Sequence, residues 1–215
     1  MKAMNMNKQS STSKLSGPLC INEEPLRVYA GQMNTGDILG GQMYGKYSQH
    51  GADYATNQLL SGIADGSLVL SDDAIAGLVY MVEEEKMARD LYDAFAEQTG
   101  SLIFDRIPDS EQKHYDTLLE VAEKAGIDLT GISTTAGIFS DPEIQNLYDS
   151  LYAQGSVSLV AALEVGILVE NTDIADLSAY SADSTLGVVS TIYANLTAGS
   201  EHHLAAFTQQ SALIA

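Results

Sequence analysis

From Ser71 to the end of the chain, apolar residues recur at three- and four-residue intervals, and strand-like alternation is absent after residue 70. That feature confines this part of the chain to helices, because a face repeating every 3.6 residues cannot line one side of a strand. Leu78, Met81, Val82, Ala88, Tyr92 and Phe95 mark one stripe and predict a helix over about 71–98, capped by Ser71 and ended by Gly100. A second is predicted over 109–125 after Pro108, with Ile107, Leu118, Val121, Ala122 and Ala125 in phase and Gly126 as its stop. The run SDPE at 140–143 places Ser140 as a cap, Pro142 just inside and Glu143 at the capping-box position of a short helix closed by Gly155. A third long helix is predicted over 157–171, with continuation to 179 left open. The fourth, over about 184–212, carries Val189, Ile192, Leu196, Leu204 and Phe207.

The connection between the second and third long helices is about thirty residues, far beyond the roughly 2–8 of an ordinary bundle loop. A long crossover in a four-helix chain predicts a ferritin-like topology rather than a simple up-and-down bundle. The expected architecture is therefore an all-α, ferritin-like four-helix bundle over residues 68–215, with a short extra helix in its crossover. Residues 1–67, rich in Gly, Ser, Asn, Gln and Tyr, read as an irregular arm with little to bury.

The chain has 215 residues, 45% of them hydrophobic, enough for one globular domain and some extra length. Its net charge of -19 excludes a phosphate-binding surface and with it a nucleic-acid partner. The same charge suits a protein that attracts cations, or simply a well-solvated surface. A single cysteine, Cys20, excludes an internal disulfide framework and a cysteine-cluster metal site. The longest apolar run, LVAALEVGILV, is too short to span a bilayer and contains Glu164. No signal-peptide core follows the N-terminus, so a complete chain is expected in the cytoplasm and a processed one at the surface or outside.

Against this background the inner stripes carry charge. In the triplet Glu83–Glu84–Glu85 only Glu85 falls on the apolar stripe of its helix. Glu84 is about 100° away, at the boundary, and Glu83 about 200° away, in solvent. Glu85 taken alone reads as a residue snorkelling from the helix edge or pairing with Arg89 one turn later. The second helix places Glu111 and His114 together on its core stripe, three residues apart. On the third, Leu159, Leu163, Gly166 or Ile167, Glu170, Asp173 or Ile174, and Leu177 align, with Glu164 off the line. On the fourth, Ile192, Leu196, Gly199, His203 and Phe207 align, with His202 offset and Glu201 pointing away. Four helices thus each contribute an ionisable group to an apolar seam. Buried carboxylates need a metal, a counter-ion or a proton, and oxygen and nitrogen donors suit iron or manganese.

The run Glu85-x-x-Ala88-Arg89-x-x-Tyr92 resembles the first metal-bearing helix of rubrerythrins, and Glu-x-x-His at 111–114 is similar to the ferritin-like superfamily. The segments LVYMVEEEKMARDLYDAF, SEQKHYDTL, LEVGILVENTDIADL and NLTAGSEHHLAAF together resemble an uncharacterised ferritin-like family, the domain of unknown function numbered 2202, over residues 70–210. The resemblance implies two iron ions, or manganese, held by Glu85, Glu111, His114, Glu170 and His203, with Asp173 and Glu84 as weaker candidates. Where the pattern has a glutamate three residues before His203, this chain has Ser200, a departure that leaves open a missing oxygen supplied by Asp173 or a nearby Glu, a weak second ion, or a mononuclear site. Tyr92 is either a partner or radical site for such a centre or an ordinary core ring. The implied chemistry is that of an oxidase, ferroxidase or peroxidase. With no C-x-x-C pair to carry a rubredoxin-type domain, its electrons must come from an external donor. The competing expectation is a structural or surface-interaction protein on the same scaffold, a homo-oligomer assembling through its arm.

Overall fold

The computed structural model describes residues 61–62, 69–182 and 188–214, and the expectations for the N-terminal arm and Cys20 fall outside them except at Ser61 and Gly62. Among the described residues the fold is all-helical, with no strand. Its elements are α1 (Asp72–Thr99), α2 (Leu102–Arg106), α3 (Pro108–Lys124), α4 (Pro142–Gly155), α5 (Leu159–Ser181) and α6 (Val188–Ile214). No helix of the described residues is long and apolar enough to cross a membrane.

Local chemistry sets the ends. The Ser71 hydroxyl accepts a hydrogen bond from the Ala74 amide, and Asp72 and Asp73 complement the positive end of α1. Gly100 ends the helix at φ 63°, a left-handed conformation in which a side chain would be strained. The expected third long helix runs unbroken to Ser181, and the five-residue α2 was not foreseen. The cap of α4 is also corrected: the Asp141 carboxylate, not Ser140, accepts the Glu143 amide at 2.7 Å. Ser140 is otherwise engaged, its hydroxyl donating to Gly131 O and accepting from the Ser133 amide.

Two apolar clusters fill the interior. One joins Leu78, Met81 and Val82 of α1 to Leu118 and Val121 of α3, Leu177 of α5, and Ile192, Tyr193 and Leu196 of α6. The other joins Leu91, Tyr92 and Phe95 to Phe104, Ile107, Ile144, Leu163, Val169 and Phe207. The order in which each helix passes these clusters fixes its direction. α1 and α6 run from the first to the second, whereas α3 and α5 run the other way. Since α3 and α5 are parallel, the chain leaving α3 must return along the length of the molecule before α5 begins. Residues 125–158 make that return, and α4 lies within it, packed on α1 and α5. Between the apolar clusters lies a layer one to two turns thick: Glu84 and Glu85, Glu111 and His114, Glu170 and Asp173, Ser200 and His203.

Candidate metal centre

Helical spacing delivers Glu111 and His114 from one face of α3, since residues three apart project together. Their partners arrive from three other helices. His114 Nδ1 lies 3.1 Å from Glu111 Oε2 and 3.3 Å from Glu85 Oε2 on α1. His203 Nδ1 on α6 lies 2.7 Å from Glu111 Oε1 and 3.6 Å from Glu170 Oε2 on α5. The two imidazoles are 5.5 Å apart and inclined by 30°. Glu111 is thus shared, each of its oxygens facing one histidine. Two trios result, Glu85–Glu111–His114 and Glu111–Glu170–His203, each offering one ligand atom per residue within 4.8 Å of the others.

These groups are nearly withdrawn from water. Glu85 is 1% exposed, Glu111 and Glu170 2%, and His203 8%. Among the described residues, Glu85 Oε1, Glu111 Oε1, Glu84 Oε2, Asp173 Oδ1 and His203 Nδ1 are buried without a hydrogen-bond partner. The His203 Nδ1–Glu111 Oε1 pair is at ion-pair distance but lacks hydrogen-bond geometry, so both atoms remain orphaned. Protein interiors rarely tolerate such a concentration of unmet polar atoms, because each carries a desolvation penalty. Five buried carboxylates, Glu84, Glu85, Glu111, Glu170 and Asp173, share this layer with two imidazoles.

The nearest cations do not relieve this. Arg89, one turn from Glu85, instead forks onto Asp90 at 3.0 and 2.6 Å and donates to Gln112 at 2.7 Å. The pairing of Glu85 with Arg89 expected from spacing is therefore corrected. Lys86 is fully buried but committed to Asp90 at 2.7 Å and to the carbonyls of Thr135 and Ile138.

The electrostatics follow from this shortage. Burial, Asp176 and Glu85 push the Glu84 carboxyl well above its ordinary value. Burial likewise raises Glu85, against the pull of His114, and raises Asp173, reinforced by Glu85 and Glu84. Burial and Glu111 push Glu170 up to about 7. Glu111 is the exception. Burial would raise it, but His203 and His114 on either side outweigh that and hold it below the carboxylate range. Burial lowers both histidines, yet the carboxylates win: Glu111 holds His203 up to about 9, and Glu85 and Glu111 hold His114 well above its usual value. In the metal-free protein, protons stand where the site lacks positive charge.

Five predicted ligands, Glu85, Glu111, His114, Glu170 and His203, converge in the trios; Asp173 and Glu84 lie in the same layer but outside both. Of the stripe alternatives, Gly166 and Asp173 are buried, while Ile167 and Ile174 are partly exposed; Glu164, Glu201 and His202 face solvent. Two expectations fail. Glu84 is 1% exposed rather than at a boundary, and Glu83 is 3% exposed rather than solvated. Glu83 accepts the amides of Ser140 and Asp141, both at 2.6 Å, and so anchors the start of α4.

Three neighbours adjoin the site: Tyr92, expected either beside the centre or as a core ring, is hydrogen-bonded to Glu170, while the contacts of Ser200 and Gly199 were not foreseen. The Ser200 hydroxyl, at the fourth-helix departure, donates to Asp173 Oδ2 of α5 in a very short hydrogen bond. The Tyr92 phenol donates to Glu170 Oε1 at 2.7 Å, leaving Oε2 toward His203. Gly199 sits against His114: a Cβ there would lie 2.5 Å from Nε2, so the imidazole uses space that only glycine leaves. A glycine on an inner helical stripe was the available signal for that approach.

The sequence pattern of the family described as "Uncharacterized protein domain (DUF2202)" matches residues 74–213. An uncharacterised protein of Methanocaldococcus jannaschii, MJ0754, is 36% identical over 140 residues, covering 65% of this chain and 76% of the relative. The crystal structure of that hypothetical protein aligns with a TM-score of 0.66 at 35% identity, covering 68% of this chain and 83% of its own.

Proposed function

The chain belongs to the DUF2202 family, and we propose that it is a ferritin-like protein binding two iron or manganese ions, with oxidase, ferroxidase or peroxidase-type activity. The observation that carries the reading is the pair of trios sharing Glu111. Glu85 and His114 would hold one ion and Glu170 and His203 the other, with an oxygen of Glu111 available to each. The donor set of carboxylate oxygens and imidazole nitrogens, without thiolate, suits iron or manganese. Crossover topology and inward Glu-x-x-His support the ferritin-like assignment, with Asp173 and Ser200 in place of the second such pair.

Such a centre supplies redox chemistry, electrons for the reduction of dioxygen or peroxide. The chain's residues prepare the place for it. Glu111 spans both histidines and fixes their spacing. Tyr92 holds one oxygen of Glu170 and thereby orients the other. The two apolar clusters exclude water from above and below, which strengthens every charge interaction between them. Electrons come from an external donor.

The test is ferrous iron oxidation followed optically after mixing anaerobically loaded protein with dioxygen or hydrogen peroxide. Oxidation faster than that of free ferrous iron, abolished in a Glu111→Ala, His114→Ala double variant, is expected. Equal rates for the protein, the variant and buffer contradict the proposal.

A further inference from the structure

On the side of the site away from Glu84 and Asp173, aromatic rings run in unbroken contact from the layer to the surface. The Tyr92 ring, hydrogen-bonded to Glu170, lies 6.0 Å from Phe104; Phe104 lies 5.5 Å from Phe95. Phe95 stacks on Tyr152 of α4 at 6.4 Å and 5°, and Tyr152 stacks on Tyr148 at 6.0 Å and 5°. Tyr152 is 42% exposed. Gly155, one turn further along α4, admits the Phe95 ring, since a Cβ there would fall within it.

Apolar packing explains the phenylalanines but not both ends. A buried phenol costs desolvation that phenylalanine would avoid, yet Tyr92 is fully buried and spends its proton on a carboxylate of the candidate centre. Tyrosine is also the ring in this chain that can lose an electron together with a proton. Tyrosines therefore stand at the two places where a proton acceptor is available: Glu170 inside, and water at Tyr152.

We propose that Tyr92, Phe104, Phe95 and Tyr152 form a one-electron path from the buried centre to the face of α4, where a small soluble reductant delivers electrons. The inference rests on the proposed redox centre and names the entry point of its external donor. The oxidant is the metal centre after reaction with hydrogen peroxide. Tyr92 gives up one electron to it, and its phenol proton passes to Glu170. Tyr152 then refills Tyr92 by tunnelling through the intervening rings, neither of which is itself oxidised; Glu170 returns the proton, and Tyr152 releases its own to water. An enediol reductant such as ascorbate restores Tyr152 with one electron and one proton. Net, the reductant loses an electron and a proton, the centre gains the electron and water gains the proton.

The experiment loads the full chain anaerobically with ferrous iron, measures uptake, adds hydrogen peroxide and freezes samples for electron paramagnetic resonance, with and without ascorbate. Two tyrosyl signals are expected, both lost in Tyr92→Phe. Tyr152→Phe, a partly exposed change that keeps the stack, should remove one signal and slow the ascorbate reduction of the other severalfold. Iron uptake with an unchanged signal and unchanged ascorbate rate in Tyr152→Phe overturns the path and leaves the centre standing. Failure to take up iron overturns the centre and the path together. Should Tyr92→Phe fold poorly, the Tyr152→Phe comparison decides alone.

Discussion

Helix α1 carries two buried polar networks on opposite faces, and they differ in whether the protein completes them. On the crossover side, Lys86 meets Asp90, two backbone carbonyls and, at 4.2 Å, the face of Phe139; Glu83 takes two amides; Asp90 adds Arg89 and the Gly137 amide. Charges and hydrogen bonds there balance. On the seam side, carboxylates outnumber cationic groups, and polar atoms are left without partners. Burial is equally severe in both, so burial alone does not mark a functional site. What marks it is charge that the chain leaves uncompensated.

Breaking the closed network should produce the largest loss of stability. Lys86→Met leaves Asp90 with a single cationic partner and orphans two carbonyls, and should cost about 3 kcal/mol in denaturant unfolding, as for other broken buried pairs. Asp173→Asn in the metal-free protein is the counterpart. It removes a carboxylate from a surplus and should cost less than about 1 kcal/mol or stabilise. Equal losses in the two variants contradict the distinction.

Metal should invert the pH response of the open network. Glu170 is raised to about 7 and His203 to about 9, so the folded metal-free state holds these protons more tightly than the unfolded chain. Their stabilisation is complete below the unfolded values, about 4.3 for Glu and 6.5 for His, and is lost as pH rises through 7 and 9. Glu111, shifted down, acts oppositely, and only below about pH 4.3. Metal-free protein should therefore lose stability steadily between about pH 5 and 9 in thermal melts. With saturating ferrous or manganous ion, the ligands are deprotonated on binding and stability should rise over the lower part of that range. At a hundred times Kd the ion should add about 2.7 kcal/mol.

A smaller, sharper probe is Gly199→Ala. Alanine should gain up to about 1 kcal/mol of intrinsic helix stability, yet its Cβ would collide with His114 Nε2. Metal affinity by calorimetry should fall, by about tenfold or more if His114 is displaced as a partner-group loss would displace it. Tyr92→Phe loses one hydrogen bond to Glu170 and should cost about 1–2 kcal/mol, less than Lys86→Met.

The inner stripes were legible because they depend on one helix at a time. Glu85, Glu111, Glu170 and His203 each continue a local apolar repeat, and the structure buries all four. Glu83 and Glu84 were misread because α1 has no solvent face there: every residue from Met81 to Ala88 is buried. Glu83 is covered by Ser140 and Asp141, more than fifty positions away, and Glu84 is set beside Asp176 of α5, neither of which periodicity within α1 can register. Ser140 lost the cap to Asp141 for the same reason, its hydroxyl being taken by Gly131 O and the Ser133 amide. The Ser200–Asp173 contact joins α6 to α5 and was likewise invisible to either stripe alone.

The proposed metal ions would complete the open network. Anaerobic calorimetric titration of chelator-treated full-length protein with ferrous ion, with elemental analysis of the product, tests it most directly. The account predicts about two ions per chain, as in di-iron carboxylate proteins, with protons released and binding lost in the Glu111→Ala, His114→Ala variant. No binding of ferrous or manganous ion by the folded parent, or equal binding by the variant, contradicts it.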